Sequence, residues 1–193
     1  MHSRGRSVGG RVLILMVLTL AAVSVTVAPA SGARDAAGSA TGNHCMAKIV
    51  DQRSDGELVT EKPVCFATFS EAMSYASDGA VKLDADTPGS AVFEDEVVGP
   101  LADQFTLGIH FDLYGGYGLS IGIVGTICNG GYWNALGWWS NRVSSSFNGC
   151  HHLRHYDEAS RVGSYFDTWT GGQIDNIATW FNNRTESVAY LAS

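Results

Sequence analysis

The residue types with the clearest chemical potential lie between Cys150 and His155, a run that contains His151 and His152. A His-x-x-x-His pair binds zinc when it lies on a helix. This run leads into Tyr156 and is predicted to be a strand, where residues four apart stand about 13 Å apart at ~3.3 Å per residue. Two bonds of about 2 Å to one ion cannot bridge that distance. We therefore expect exposed strand histidines and no transition-metal site.

The sequence gives little support for an enzyme. Serine, histidine and acidic residues are present, but there is no His-Glu-x-x-His and no phosphate loop. Asp157 and Glu158 are adjacent carboxylates, and neighbouring residues on a strand face opposite sides. This pair is predicted to be a solvated turn, and we expect the protein not to be an enzyme.

The first 33 residues have the pattern of a secretory signal peptide. Arg4, Arg6 and Arg11 precede the apolar run 12–28, and small residues follow it. The alternative is an uncleaved anchor, because the apolar run approaches the ~20 residues that a membrane span needs. The signal-peptide interpretation of residues 1–33 predicts a secreted protein with no stable membrane association after cleavage.

The charge of the remaining chain excludes several kinds of partner. Residues 34–193 carry 9 basic and 19 acidic side chains. A surface this acidic repels phosphate backbones and anionic lipids, so nucleic-acid binding is not expected. We expect a monomer.

Cysteine usage agrees with export to an oxidising compartment, where cysteines form disulfides more readily than metal thiolates. The four cysteines are Cys45, Cys65, Cys128 and Cys150. They allow three pairings. Proximity in the sequence favours Cys45 with Cys65 and Cys128 with Cys150.

The composition divides the exported chain near residue 100. Residues 34–104 have 5 basic and 13 acidic side chains and no tryptophan, whereas residues 105–193 have 4 and 6 and all five tryptophans. The first region is predicted to be a small α+β region, either a prodomain or a spacer packed on the second. The second region is predicted to be a separate domain.

Local patterns in the acidic region predict few elements. The run 68–71 has capping-box spacing and begins an apolar helical pattern that stops at Asp78-Gly79, so one short helix is expected. The alternation over 81–84 is typical of a strand edge. Residues 88–100 are interpreted as an acidic linker.

Residues 105–193 have an all-β pattern, with 13 glycines between short apolar alternations such as 119–123. The segments 138–145 and 180–187 match at four of eight positions with an offset of 42, which also aligns Tyr114 with Tyr156. Two copies of a unit of about 40 residues are implied. Two such units pair naturally into a Greek-key sandwich with tryptophans between the sheets.

The repeated segments resemble the microbial βγ-crystallin family, in which an aromatic-and-glycine hairpin precedes the string Asn/Asp-Asn/Asp-x-x-Ser/Thr-Ser. The run 139–145, followed by Cys150 and 155–158, is similar to the secreted actinobacterial branch, which includes a Streptomyces metalloproteinase inhibitor. The resemblance covers residues 105–193. It implies two Greek-key units that form a βγ-crystallin-like sandwich, preceded by the small α+β region 34–104.

The hairpin signatures depart from this family. Arg161 stands where an aromatic residue is expected before Gly163. In the first unit either Phe111 or Tyr114 is the leading aromatic residue. Folding is expected to tolerate these changes.

The resemblance also implies calcium as a cofactor. A calcium ion is surrounded by six to eight oxygens, and the matching candidates are Ser140, Asn141, Ser144, Asn182, Asn183 and Glu186. Ser140 replaces the family's Asn/Asp, and Glu186 replaces Ser/Thr. The alternative is that these side chains only bond the turn backbone and that Ser145 and Ser187 begin strands.

Export, the family resemblance and the absence of an enzyme pattern together predict a secreted binding protein that inhibits a peptidase. Its partner would be an extracellular peptidase, and its contact loop is predicted at Tyr132, Trp133 and Asn134, just after Cys128. The alternative for Trp133 is a place in the core. Two other functions stay open: a calcium-binding structural or envelope protein without an enzyme target, and an antimicrobial, toxin-like protein.

Overall fold

Short apolar segments between turn residues form the strands of this protein. The computed structural model describes residues 42–93, 105–135, 137–169 and 171–192, and the predicted signal peptide lies outside them. The strands are β1 (His44–Gln52), β2 (Leu58–Thr60), β3 (Val64–Phe66), β4 (Thr106–Phe111), β5 (Ser120–Val124), β6 (Tyr132–Asn134), β7 (Ser145–Asn148), β8 (His152–Tyr156), β9 (Tyr165–Thr168), β10 (Ile174–Asn176) and β11 (Ser187–Leu191). Within the described residues, no helix has the length and apolar character needed to span a bilayer.

The predicted helix is confirmed as α1 (Phe69–Ala76). The Thr68 hydroxyl accepts a hydrogen bond from the Glu71 N–H at 3.2 Å, and the Glu71 carboxylate accepts one from the Thr68 N–H at 3.2 Å. This reciprocal capping box satisfies two backbone donors that a helix end leaves free. The helix ends before Asp78, whose φ is +51°.

The strand predicted over 81–84 is wrong. The Val81 N–H donates to the Ser77 hydroxyl at 2.8 Å, and the Ser70 hydroxyl donates to the Leu83 carbonyl at 2.7 Å. These backbone groups bond to side chains of the helix and its C-terminal end, so they form no ladder with a neighbouring strand. Val81 is buried against the helix and not in a sheet.

The strands form two sheets, which confirms the all-β prediction at the level of fold class. The large sheet has the order β10-β7-β4-β5-β1-β2, with β3 also paired to β1, and the small sheet has the order β6-β11-β8-β9. Strand β1 is parallel to β5. The other strand pairs are antiparallel.

The strand order repeats between the two sheets. In the large sheet β7 lies beside β4 and β4 beside β5, and in the small sheet β11, β8 and β9 have the same arrangement. Each set of four strands contributes its third strand to the opposite sheet, so β6 pairs with β11 and β10 pairs with β7. The two sets therefore exchange one strand each.

The register corrects one sequence alignment. Phe111 lies opposite Ser145, and Tyr156 lies opposite Ser187. Phe111 is therefore the equivalent of Tyr156, and aligning Tyr114 with Tyr156 is wrong. The residue offset between the units is 45 in the first strands and 42 in the strings, because the loop between β5 and β6 is longer than the loop between β9 and β10.

Two hydrophobic clusters lie on the two faces of the large sheet. One fills the space between the sheets and includes Ile123 from the large sheet with Leu153 and Val188 from the small one. The other joins Phe69 and Met73 of α1 to the opposite face of the large sheet. The helix thus covers a face that would otherwise meet solvent.

The disulfides are Cys45–Cys65 and Cys128–Cys150, which are the pairs that sequence proximity favours. All described residues belong to one compact unit, Asp35–Ser193. Strand β1 comes from the acidic region and pairs with β5 from the tryptophan-containing region. The compositional change near residue 100 is therefore not a break in the sheet.

Candidate functional site

Two hairpins with the same construction follow β4 and β8. The Asp112 carboxylate accepts a hydrogen bond from the Leu119 N–H at 2.7 Å, and the Asp157 carboxylate accepts one from the Ser164 N–H at 2.7 Å. The residue before each donor is a glycine with φ near +80°, where a Cβ would collide with the aspartate oxygen. Aspartate and glycine six residues later therefore fold each hairpin.

The two aspartates also connect the hairpins to the repeated strings. Asp112 pairs with Arg142 at 3.1 Å, and Asp157 pairs with Arg184 at 2.6 Å. Asp112 has no predicted role and Asp157 is predicted to be solvated, although the spacing Asp-x-x-x-x-x-Gly recurs in the sequence and is a signal for the paired hairpins. The side chains of both are mostly buried.

Of the predicted calcium ligands, Ser140, Asn141 and Glu186 lie together. Asn141 Nδ2 donates to Glu186 Oε1 at 2.9 Å, and the Ser140 hydroxyl donates to the same oxygen at 3.4 Å. The Asn141 N–H bonds to the Thr185 carbonyl at 2.9 Å, which brings the two strings side by side. This first cluster contains one carboxylate.

Ser144, Asn182 and Asn183 form a second, equivalent cluster. The Ser144 hydroxyl donates to the Asp112 carbonyl at 2.9 Å and lies 3.2 Å from Asn183 Oδ1. The Asn183 N–H bonds to the Val143 carbonyl at 3.1 Å. Asn182 Oδ1 is buried and finds no hydrogen-bond partner among the residues that the structure describes.

Each cluster combines the first two positions of one string with the fifth position of the other. Amide, hydroxyl and carboxylate oxygens are the ligands that a calcium ion prefers, so the first cluster fits a calcium ion better than the uncharged second cluster does. Among the described residues, no three histidine, cysteine or carboxylate side chains lie close enough together to hold a metal ion. Ser145 and Ser187 do begin β7 and β11.

The predicted contact loop at Tyr132, Trp133 and Asn134 is not exposed, and this prediction is wrong. The three residues form β6, an edge strand of the small sheet. Trp133 is only 5% exposed, and its ring stacks on His110 with centroids 5.8 Å apart. Tyr132 is covered by the guanidinium of Arg161. Burial of these aromatic rings in the core outweighs any loop tendency of the preceding glycines.

The prediction of exposed strand histidines is also wrong, except for His151. His155 is fully buried between the sheets, where it meets His110 edge to face with ring centroids 5.7 Å apart. His152 is buried beneath Trp169 and lies 3.0 Å from an Asp167 oxygen. Strand alternation places these two histidines on opposite faces of β8.

The two core histidines occupy equivalent positions but differ in hydrogen bonding. His110 bonds to the Ser146 hydroxyl at 2.8 Å and to the Tyr190 hydroxyl at 2.9 Å, whereas neither ring nitrogen of His155 has a hydrogen-bond partner in the described part of the chain. Burial lowers the pKa of His110 to about 3. Burial also lowers the pKa of His155 well below its usual value, and the neighbouring His110 and His152 lower it further. Both rings are neutral in the folded protein.

An exposed loop precedes β6. Ile127 lies in it with 65% of its surface exposed, next to Cys128, which is linked to Cys150. Gly125 N–H donates to the Phe105 carbonyl at 3.0 Å on one side of the loop.

The other side of this loop is held at Asn129 and Gly130. Asn129 Nδ2 donates to Gln52 Oε1 at 2.7 Å, and the Gly130 N–H donates to the Tyr190 carbonyl at 2.9 Å. An open groove of about 330 Å³ lies beside the loop, and its apolar lining includes Ile49, Val50, Leu58 and Ile127. The loop therefore presents an aliphatic side chain from an anchored backbone.

The face of the β8–β9 hairpin that points away from the core carries an ion pair. Arg154 binds Asp167 through two hydrogen bonds, from Nε at 2.7 Å and from the terminal nitrogen at 3.0 Å. Burial alone would raise the pKa of Asp167, but hydrogen bonds from Arg154 and His152 outweigh it and lower that pKa. The carboxylate is therefore charged throughout the neutral range.

Comparison with known proteins does not assign these groups a role. No protein-family model matches the sequence, and neither a curated protein nor a solved structure matches it. The function is therefore inferred from the geometry and chemistry of the chain's own residues.

Proposed function

We propose that this chain is a secreted, disulfide-stapled βγ-crystallin-like protein that inhibits an extracellular peptidase. The observation that carries the proposal is the anchored loop at Ile127, which holds an exposed aliphatic side chain beside a disulfide. A peptidase cleft binds an extended segment and a side chain in a pocket. A loop of this construction can enter such a cleft without cleavage being required for binding.

Rigidity of the loop favours inhibition. A flexible loop loses conformational entropy on binding, at about 0.5–1.5 kcal/mol for each side chain that becomes fixed. Here the disulfide at Cys128 and the bonds of Asn129 and Gly130 already fix the backbone. Little of the binding free energy from the Ile127 contacts would then be lost to ordering the loop.

The strand order supports the Greek-key part of the proposal. In a Greek key the fourth strand returns to lie beside the first, in the spatial order 4-1-2-3. The orders β7-β4-β5 and β11-β8-β9 have this fourth-first-second arrangement, and each third strand lies in the opposite sheet. The reciprocal contact of the two strings at Asn141 and Asn183 supports a paired arrangement of the units.

Two disulfides and no unpaired cysteine among the described residues support residence in an oxidising compartment. The proposal of secretion rests on this and on the leader pattern of residues 1–33. Mass determination of the protein recovered from the culture medium tests it. Retention of the full-length chain in the cell would contradict secretion.

Inhibition assays with a panel of secreted metallopeptidases and serine peptidases test the inhibitor proposal. At least one enzyme should lose activity stoichiometrically, and Ile127→Asp should weaken that inhibition more than a hundredfold because a charge replaces the inserted side chain. Leu113→Asp is the matched control, because Leu113 is also exposed but lies in another hairpin. Full activity of every peptidase in excess protein would overturn the proposal.

The paired oxygen clusters favour a second candidate function, a calcium-stabilised structural protein. Glu186 would provide the charge, with Asn141 and Ser140 beside it. Calorimetric titration of calcium into the oxidised protein should give saturable heat, and Glu186→Gln should weaken it at least tenfold. The melting temperature should then rise with calcium by mass action. No heat and an unchanged melting temperature would eliminate this candidate.

A further inference from the structure

The outward face of the β8–β9 hairpin has an arrangement that neither proposed function uses. Cross-strand neighbours there are Tyr156 with Tyr165 and Arg154 with Asp167, and Trp169 lies over His152. We call these six residues the β8–β9 ladder. Its order is aromatic pair, ion pair, aromatic pair.

The two outer rings of the ladder are supported on one face and open to solvent. Trp169 stacks on His152 with ring centroids 3.8 Å apart and remains 58% exposed. Tyr165 has the Arg154 guanidinium 4.1 Å from its ring centre and remains 50% exposed. The orientation of each ring is therefore largely set before any ligand arrives, which lowers the entropic cost of binding.

The middle of the ladder provides fixed hydrogen-bonding groups. Arg154 and Asp167 hold each other in a bidentate pair, and Arg154 retains donors that this pair does not use. Asp167 also lies 3.0 Å from His152 Nε2. A planar donor and a carboxylate thus lie between two aromatic platforms.

The charge of the ladder argues against an ionic ligand. Arg154 and Asp167 neutralise each other, so the ladder has no surplus charge to attract an ion. Residues 34–193 carry 19 acidic and only 9 basic side chains, so a polyanion would be repelled. The complementary ligand is uncharged, rich in hydroxyl groups, and bears C–H faces that can lie against the negative face of an aromatic ring.

Length decides between a single sugar and a chain. Tyr165 and Trp169 are four residues apart, which corresponds to about 13 Å at ~3.3 Å per residue. One pyranose ring cannot contact both platforms and the ion pair. We propose that the β8–β9 ladder binds a neutral polysaccharide, with sugar rings on Tyr165 and Trp169 and hydroxyl groups bonded to Arg154 and Asp167.

This ligand class follows from the ladder alone and uses no residue of the Ile127 loop. A peptidase inhibitor with such a site would be retained on a glycan surface where its target acts. Loss of one activity should leave the other intact. Failure of either proposal is therefore distinguishable from failure of the other.

Affinity electrophoresis of the full secreted protein tests the proposal. The probes are four soluble neutral polysaccharides: hydroxyethylcellulose, xylan, glycol chitin with its amines acetylated, and galactomannan. At least one polysaccharide should retard the protein, and Trp169→Ala or Tyr165→Ala should raise the measured Kd at least tenfold. Trp169→Tyr should retain most of the binding, because it keeps an aromatic platform.

Trp138→Ala is the matched control, since Trp138 is an exposed tryptophan outside the ladder. It should leave the retardation unchanged, and circular dichroism should show that all variants fold. No retardation by any of the four polysaccharides would overturn the proposal, as would retardation that Trp169→Ala leaves unchanged. A dimer that Trp169→Ala dissociates would identify the ladder as a self-association surface and would also overturn it.

Discussion

The outward faces of the two sheets present the same strand positions with opposite chemistry. In the large sheet these positions hold Ile109, Phe111 and Phe147, packed beneath α1. The equivalent positions in the small sheet hold Arg154, Tyr156 and Ala189. One face has become a second core, and the other remains an open surface with an aromatic and charged ladder.

This difference shows that two copies of one strand arrangement can share a core and still present different side chains on their outer faces. The inner positions of both strand sets are buried in the shared core and are mostly apolar, with His110 and His155 as the equivalent exceptions. The outer positions are free to diverge, because among the described residues of the acidic region α1 covers the large sheet and not the small one. The second hydrophobic cluster therefore lies on the large sheet, and the proposed polysaccharide ladder lies on the open face of the small one.

Truncation of equivalent aromatic residues should show the largest difference. Phe111→Ala should lower the free energy of unfolding by about 3–5 kcal/mol, because it leaves a cavity beneath α1. Tyr156→Ala should cost about 1–2 kcal/mol, because Tyr156 is partly exposed and loses mainly its contact with Tyr165. Urea denaturation measures both. Equal losses would mean that the open face is covered in solution.

Removal of each disulfide should separate stability from function. The bridges span 20 and 22 residues, so each should contribute about 3 kcal/mol by restricting the unfolded chain. Serine replacement of Cys45 with Cys65, or of Cys128 with Cys150, should therefore give similar losses in denaturant titrations. Only the Cys128 and Cys150 variant should lose peptidase inhibition, since it alone releases the Ile127 loop. Equal inhibition by both variants would contradict the role of that anchor.

Acid should destabilise the protein through its two core histidines. The unfolded chain protonates histidine below about pH 6.5, while burial keeps the pKa values of His110 and His155 far lower in the folded state. Stability is therefore lost as the pH falls below 6.5, by about 1.4 kcal/mol per pH unit for each histidine. Melting temperatures between pH 7.5 and 5 measure this slope.

Replacement of each core histidine separates the contributions of His110 in the large sheet and His155 in the small one. His155→Phe should reduce the acid slope at little cost at pH 7.5, because the His155 ring nitrogens have no hydrogen-bond partner among the described residues. His110→Phe should also reduce the slope but cost stability at every pH, since it leaves the Ser146 and Tyr190 hydroxyls without their His110 bonds. His151→Ala is the exposed control. An unchanged slope in both core variants would refute this explanation.

The smallest effect should come from the cap of α1. Thr68→Ala removes a hydroxyl that accepts a bond from the Glu71 N–H and should cost about 1 kcal/mol. Thr126→Ala, at an exposed loop position, should change stability by less than ~0.5 kcal/mol. Urea titration compares the two variants. If the two variants lost the same free energy of unfolding, the packing of α1 on the large sheet would contribute little to stability.

The sequence predicted best those features that depend on near neighbours. Thr68 and Glu71 lie in one turn, so the helix start was readable, and Ser145 and Ser187 were correctly recognised as strand starts under the alternative interpretation. Features set by distant contacts were missed. The sequence leaves Trp133 open between a contact loop and the core, because its stacking partner His110 lies 23 positions away. His152 and His155 were misjudged because strand alternation does not say which face meets the core.

The clusters at the two strings show the same limit. The family pattern predicts the members of the clusters. It does not predict that Glu186 lies beside Asn141, because that contact forms only when the strings of the two units pack side by side. The aspartates at 112 and 157 were missed because a carboxylate in a polar hairpin resembles any solvated turn. Only the bonds to Leu119 and Ser164 reveal their structural role.

The parallel pairing of β1 with β5 has a consequence for processing of the chain. If a protease removed the acidic region, β5 would lose its neighbour and expose the backbone N–H and C=O groups along Ser120–Val124 that now bond to β1. A bare, apolar edge of this kind recruits other strands. The acidic region therefore protects the edge of β5 from pairing with other chains. After cleavage, the tryptophan-containing region should self-associate through sheets formed between molecules.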